Sequence, residues 1–213
     1  MNDVEPTGSS PPSRPRRLAA IAGHEGDPAV ARQLLGHPEA STRATALAAL
    51  ARRGGLGSDT LREVLADPSP IVRRRAVVVA VAHPEVSLVA LLADVDDTVV
   101  EAAAYACGER VPPEPGAVAA LSAVATGHGD GLCREAAVAA LGALGDPAGL
   151  PAVLAATRDR ATVRRRAVIA LAPFSGAEVN AALEGAKGDR DWQVRQAAED
   201  IDTATQPDGQ QQQ

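Results

Sequence analysis

One short side chain returns along this chain at a period that only stacked structural units satisfy. Thr42, Val72, Val99, Cys133, Val163 and Val194 each stand before an arginine or, once, before Val100. Four residues after each of these anchors stands an alanine: Ala46, Ala76, Ala103, Ala137, Ala167 and Ala198. The steps between anchors are 30, 27, 34, 30 and 31 residues. Self-similarity at that period marks an array in which each unit packs on its neighbours alone. A methyl kept in all six copies implies a place where backbones approach so closely that anything larger would clash.

Around each alanine the apolar residues follow helical spacing, as in Leu47 and Leu50, Val138 and Leu141, Val168 and Leu171. Ser69, Asp96, Asp130 and Asp191 lie three residues before their anchors and suit helix N-caps. The pattern predicts helices at 40–53, 70–82, 97–109, 131–144, 161–172 and 191–202. Partner helices are expected before them at Pro28–Gly36, Asp59–Ala66, Val86–Ala93, Gly116–Thr126, Ala148–Thr157 and Ala177–Ala186. No stretch alternates β-branched residues between hairpin turns, so no strand is expected. Aromatics make up 1% of the chain, which leaves Ala, Val and Leu to build the interior.

The Pro-Ser-Gly-rich start reads as a disordered tail over 1–16, with the solenoid at 17–202 and a second, Gln-rich disordered tail at 203–213. A net charge of −6 and a pI near 5.2 give no general pull toward nucleic acid or anionic lipid. Cys107 and Cys133 are too few for a disulfide framework and read as small buried hydrophobes. Leu18–Ala22 is too short for a signal-peptide core, and no run reaches a membrane span, so a cytoplasmic location is expected.

The run Asp-x4-Val-Arg-x2-Ala-x3-Leu, and REAAVAALGALGDPAGLPAVLAA at Arg134–Ala156, resemble the short bacterial HEAT repeats, also called PBS-lyase HEAT-like repeats. The resemblance covers about residues 28–202. It implies an all-α fold, a right-handed α-solenoid of about six antiparallel helix pairs, with the second helices lining a concave side. For function it is broad, since the family includes scaffolds, adaptors and a few enzymes.

The recurring arginine falls in the first turn of its helix, where the macrodipole disfavours a cation. A structural ladder is therefore expected among Arg43, Arg73, Arg134, Arg164 and Arg195, with Asp67 facing Arg73 and Asp189 facing Arg195. The fifth copy carries Arg158 at that place with Asp159 beside it, and the third, with Val100, should lack its rung.

Helical-wheel positions opposite the alanine select Arg74, Val78, Glu101, Tyr105, Glu135, Arg165 and Ile169 as a partner-binding set: apolar side chains between charges of both signs. Partial burial of those apolar residues by neighbouring repeats is the competing account. The triplets Arg73–Arg75 and Arg164–Arg166 would suit phosphate, yet the acidic total and the scarcity of stacking aromatics argue against nucleic acid. Trp192 at the start of the last helix either caps the core or anchors a partner.

A di-iron hydroxylase of this fold needs several His-Glu pairs, and His24-Glu25 stands alone; His37, His83 and His128 show no ligand spacing. No phosphate loop or nucleophile elbow occurs. The expectation is a non-enzymatic scaffold that binds a protein or peptide, with no cofactor, no metal and no membrane. A HEAT-like lyase or DNA-repair-type enzyme, or phosphate and nucleic-acid binding through the Arg clusters, is the alternative. Oligomeric state is not legible.

Overall fold

In a computed structural model, residues 13–24 and 27–205 are described. They form twelve α-helices and two short 3₁₀ segments, with no strand among the described residues. None of these helices is long and apolar enough to cross a membrane. The chain divides into two compact units, Met1–Val79 and Ala80–Gln213.

The first unit holds α1 (Arg14–Ala22), α2 (Pro28–Leu34), α3 (Ala40–Arg52), α4 (Ser58–Leu65) and α5 (Pro70–Ala80), whose last residue falls in the second unit. Helix α1 begins inside the expected N-terminal tail. Ser13 caps it, accepting from the Arg16 amide, and Pro15 sits in the first turn, where a missing N–H costs nothing. Arg16 and Ala19 repeat the Arg-x2-Ala spacing, Ala19 is fully buried, and α1 packs on α3. It is a seventh copy of the pattern, hidden because proline-rich composition reads as disorder. The Ser13 hydroxyl donates to Glu39 at 2.6 Å and joins the starts of α1 and α3.

The second unit runs through the 3₁₀ segment Val89–Ala93, α6 (Asp97–Gly108), α7 (Ala117–Gly127), α8 (Gly131–Leu144), the 3₁₀ segment Pro147–Gly149, α9 (Leu150–Ala156), α10 (Ala161–Ala170), α11 (Ala177–Lys187) and α12 (Trp192–Thr205). Helices α6, α8, α10 and α12 stack in that order, while α7 packs on α8 and α9, and α11 on α12. Helix α12 continues to Thr205, past the boundary expected at 203. Residues 1–12 and 206–213 of the expected tails lie outside the described residues.

The partner helix expected at Val86–Ala93 forms only five residues of 3₁₀ helix. Its repeat has the shortest step, 27 residues, and the larger rise per residue of a 3₁₀ turn covers the distance with fewer residues. Asp96, Asp130 and Asp191 cap α6, α8 and α12 by accepting from amides two residues on. Helix α8 stops at Gly145, whose φ of 61° suits glycine and whose N–H returns to the Leu141 carbonyl.

All six column alanines, Ala46, Ala76, Ala103, Ala137, Ala167 and Ala198, are 0% exposed. Close approach is visible beside them in the second unit. A Cβ built on Gly108 would lie 2.8 Å from the Ala140 Cα, and one on Gly142 would lie 2.7 Å from the Ala170 Cα. Wholly buried leucines, among them Leu121, Leu141 and Leu171, fill the space between stacked helices. Each contributes about 2 kcal/mol by leaving water.

The long connection after α6 is stitched down by Arg110, which is buried. Its guanidinium donates to the Ala80 carbonyl at 2.6 Å, the His83 carbonyl at 3.2 Å and Glu114 at 2.8 Å. Glu114 in turn accepts from the Leu88 amide and the Ser87 hydroxyl.

Candidate functional site

In each unit the recurring arginines stand at the N-terminal ends of the second helices. Arg43 donates to the carboxylate of Asp67 through Nε at 2.8 Å and Nη2 at 2.7 Å. Arg134 does the same with Asp159 (2.7 and 2.8 Å), and Arg164 with Asp189 (2.8 and 2.7 Å). Each remaining Nη1 reaches back to a main-chain carbonyl of its own turn: His37, His128 and Asp159 respectively.

This corrects the expected register. Arg73 and Arg195 do meet Asp67 and Asp189, but at the main-chain carbonyls, at 2.9 and 2.7 Å. The two carboxylates belong to the arginines of the preceding repeats. The reason lies in the turn. Asp67 and Asp189 accept from the amides of Ser69 and Asp191, which rotates their side chains away from their own arginine. The pairing holds these carboxyls below their ordinary range. For Asp67 burial works upward, but the Arg43 and Ser69 hydrogen bonds prevail. For Asp159 and Asp189 the arginine bonds lead, against burial.

Val100 interrupts the ladder and is fully buried. There Asp97, His128 and Cys133 each place a potential ligand atom within 4.8 Å of the others. All three are already engaged. His128 Nδ1 accepts from the Asp130 amide at 3.1 Å, the same turn bond that Asp67 and Asp189 make, so the hydrogen-bond pattern assigns the ring proton to Nε2, facing Asp97 at 3.8 Å. The Cys133 thiol donates to the Asp97 carbonyl at 3.2 Å, and burial pushes it up to about 11. Cys107, also buried, is likewise pushed up to about 11. His24 is exposed, and its neighbour Glu25 lies outside the described residues.

The residues singled out by the wheel fall into two sets. Arg74 and Val78 lie exposed on α5 of the first unit. In the second unit Glu101 and Tyr105 lie on α6, Glu135 on α8, and Arg165 and Ile169 on α10. Tyr105 is 47% exposed, Ile169 38%, and the two glutamates are half-buried. Gly108, at the same wheel register, is instead buried against Ala140.

The second Arg triplet is largely committed. Arg164 holds Asp189, and Arg166 lies 3.5 Å from Glu135, which leaves Arg165 exposed with no ion pair among the described residues.

Between α10 and α12 runs a groove of about 440 Å³ that includes Arg165, Ile169, Trp192, Gln196, Asp200 and Ile201. Trp192 is 64% exposed. It lies at the position that holds Ala161 in α10 and Gly131 in α8, and sequence spacing alone did not link it to Ile169. A larger cleft of about 780 Å³ separates α9 from α11, with Leu154 and Ala155 on one wall and Ala181 and Gly185 on the other.

The family model for HEAT repeats matches residues 85–172. No curated protein matches the chain in sequence. Among solved structures, the Escherichia coli protein YibA is similar at 19% identity and a TM-score of 0.59, covering 90% of this chain and 75% of that one. An engineered protein is similar at 19% identity and a TM-score of 0.59, covering 89% and 97%. A designed armadillo repeat protein, solved in complex with the peptide (KR)4, is similar at 18% identity and a TM-score of 0.57, covering 91% and 100%. At these identities the likeness is one of fold. Over residues 85–172 the chain matches HEAT repeats, and its fold is an all-helical α-solenoid.

Proposed function

We propose that the chain is a non-enzymatic interaction scaffold that takes a protein or peptide segment on the face formed by Glu101, Tyr105, Glu135, Arg165 and Ile169. The observation that carries this reading is where the aromatics sit. The chain has one tyrosine and one tryptophan, and Tyr105 and Trp192 are both exposed. Aromatic side chains bring the largest burial per residue, and a chain so poor in them would gain most by placing them inside. Exposed Tyr and Trp beside apolar and charged neighbours are instead the composition of interface anchors. The designed armadillo protein bound to (KR)4 supports the reading, because a related stack of helices there holds a peptide. Arg74 and Val78 on α5 offer a charged and apolar pair of the same register in the first unit.

The test is affinity capture from the native cell with the full chain as bait, beside the variant Tyr105→Asp with Ile169→Asp. Both positions are exposed, so thermal unfolding should be unchanged. Loss of the captured proteins with the variant is the expected result. The same proteins at the same yield would exclude this face.

A further inference from the structure

The groove between α10 and α12 differs from the rest of the face in two respects. Its walls are Ile169, Ile201 and the only tryptophan of the chain. At its edge stands Arg165, the one member of its triplet without an ion pair among the described residues. Both sister guanidiniums are held by carboxylates, so Arg165 is the member of the triplet that, among the described residues, no carboxylate holds. Asp200, on α12, already accepts from the Gln196 amide at 2.9 Å. Two helices away, Glu101 on α6 also makes no ion pair among the described residues, while Glu135 between them is taken by Arg166. Among the described residues the charges that make no ion pair are therefore an acid on α6, a base on α10 with an apolar slot beside it, and, bonded to Gln196, the Asp200 carboxylate on α12.

We infer that the face receives an extended peptide segment in which a carboxylate pairs with Arg165, an apolar side chain next to it enters the slot between Trp192 and Ile169, and a basic residue pairs with Glu101. The inference rests on the proposed function and adds the chemistry and spacing of the partner. Neighbouring packed helices lie about 8–10 Å apart, so α6 and α10 are separated by about 16–20 Å. An extended chain advances about 3.3 Å per residue, which puts the acidic and basic residues about five or six positions apart. A charged pair at the edge of a groove contributes chiefly register and selectivity, and the apolar anchor contributes most of the affinity.

The experiment is selection from a random dodecapeptide library displayed on phage, with the full chain as bait. Peptides synthesised from the enriched sequences are then titrated while Trp192 emission is recorded; because the chain has one tryptophan, the signal reports this slot alone. The expected consensus has an apolar residue beside Asp or Glu and a Lys or Arg five or six positions away, and binding shifts Trp192 emission to the blue. Arg165→Glu should weaken such peptides about tenfold or more, and replacing their acidic residue by lysine should restore binding to that variant.

Peptides that lose binding with Tyr105→Asp and Ile169→Asp yet show no charge order, or no Trp192 shift, would overturn the inference and leave the proposed function standing. An absence of any enriched peptide sensitive to those substitutions would count against both. A concentration-dependent dimer in sedimentation that buries Trp192 would show that a second copy occupies the slot, and would also overturn the inference.

Discussion

Arg164 grips Asp189 with two parallel hydrogen bonds of 2.8 and 2.7 Å while its third nitrogen donates to the Asp159 carbonyl at 2.8 Å. One guanidinium thus joins the turn of its own repeat to the turn of the next. Arg43 and Arg134 repeat the arrangement with Asp67 and Asp159. A cation in the first turn of a helix is tolerated because a carboxylate from the neighbouring repeat is brought to it.

Removing one partner strands the other in a largely water-free site. Asp189→Ala is expected to cost about 3 kcal/mol in urea unfolding, and Arg164→Met with Asp189→Leu less than that single change. A double variant as damaged as the sum of its parts would mean that the pair is not coupled.

The ladder also fixes a pH dependence. Asp67, Asp159 and Asp189 have folded-state pKa values lowered from the ordinary 3.8. Just below that value the unfolded chain binds more protons than the folded one, so the ladder's contribution is complete above it and is lost as pH falls through the lower folded values. Glu39, held to about 2 by the hydroxyls of Ser13, Ser41 and Thr42, acts in the same direction. Urea midpoints should be flat from about pH 7 to 5 and decline below about pH 4. Asp189→Asn should flatten part of that decline.

Two glycines make opposite predictions for one substitution. Alanine is the better helix former by about 1 kcal/mol, and at Gly185, with open space where a Cβ would stand, Gly185→Ala should stabilise by about that amount. At Gly142 the new methyl would meet the Ala170 backbone at 2.7 Å, so Gly142→Ala should destabilise by about 1–3 kcal/mol. Equal shifts in melting temperature would show that α8 and α10 do not approach as closely as described.

The alanine column tests the stacking itself. Ala137→Leu, at a fully buried position, should cost about 3 kcal/mol or more, whereas Ala119→Leu on the exposed side of α7 should change stability by less than about 0.5 kcal/mol.

What was legible in the sequence was what periodicity encodes. The column from Ala46 to Ala198 and the caps at Asp96, Asp130 and Asp191 follow from spacing along a helix, whereas spacing left the exposure of Tyr105 and Ile169 open. The ladder's register was not legible, because it depends on the direction in which the Asp67 side chain turns, and the amide of Ser69 decides that. The 3₁₀ segment at Val89–Ala93 was masked by a composition any helix could carry; only the shortened repeat hinted at it. Helix α1 was hidden behind its prolines, although Arg16 and Ala19 carry the pattern. Trp192 and Ile169 come from different repeats, and only folding shows that they share a groove.

Partners are expected to dock on the face of α6, α8, α10 and α12. Amide hydrogen exchange of the full chain with and without a captured partner tests it most directly. Protection concentrated on those four helices, strongest around Tyr105, Ile169 and Trp192, is the predicted result. Protection confined to α9 and α11, along the cleft between Leu154 and Gly185, would contradict it.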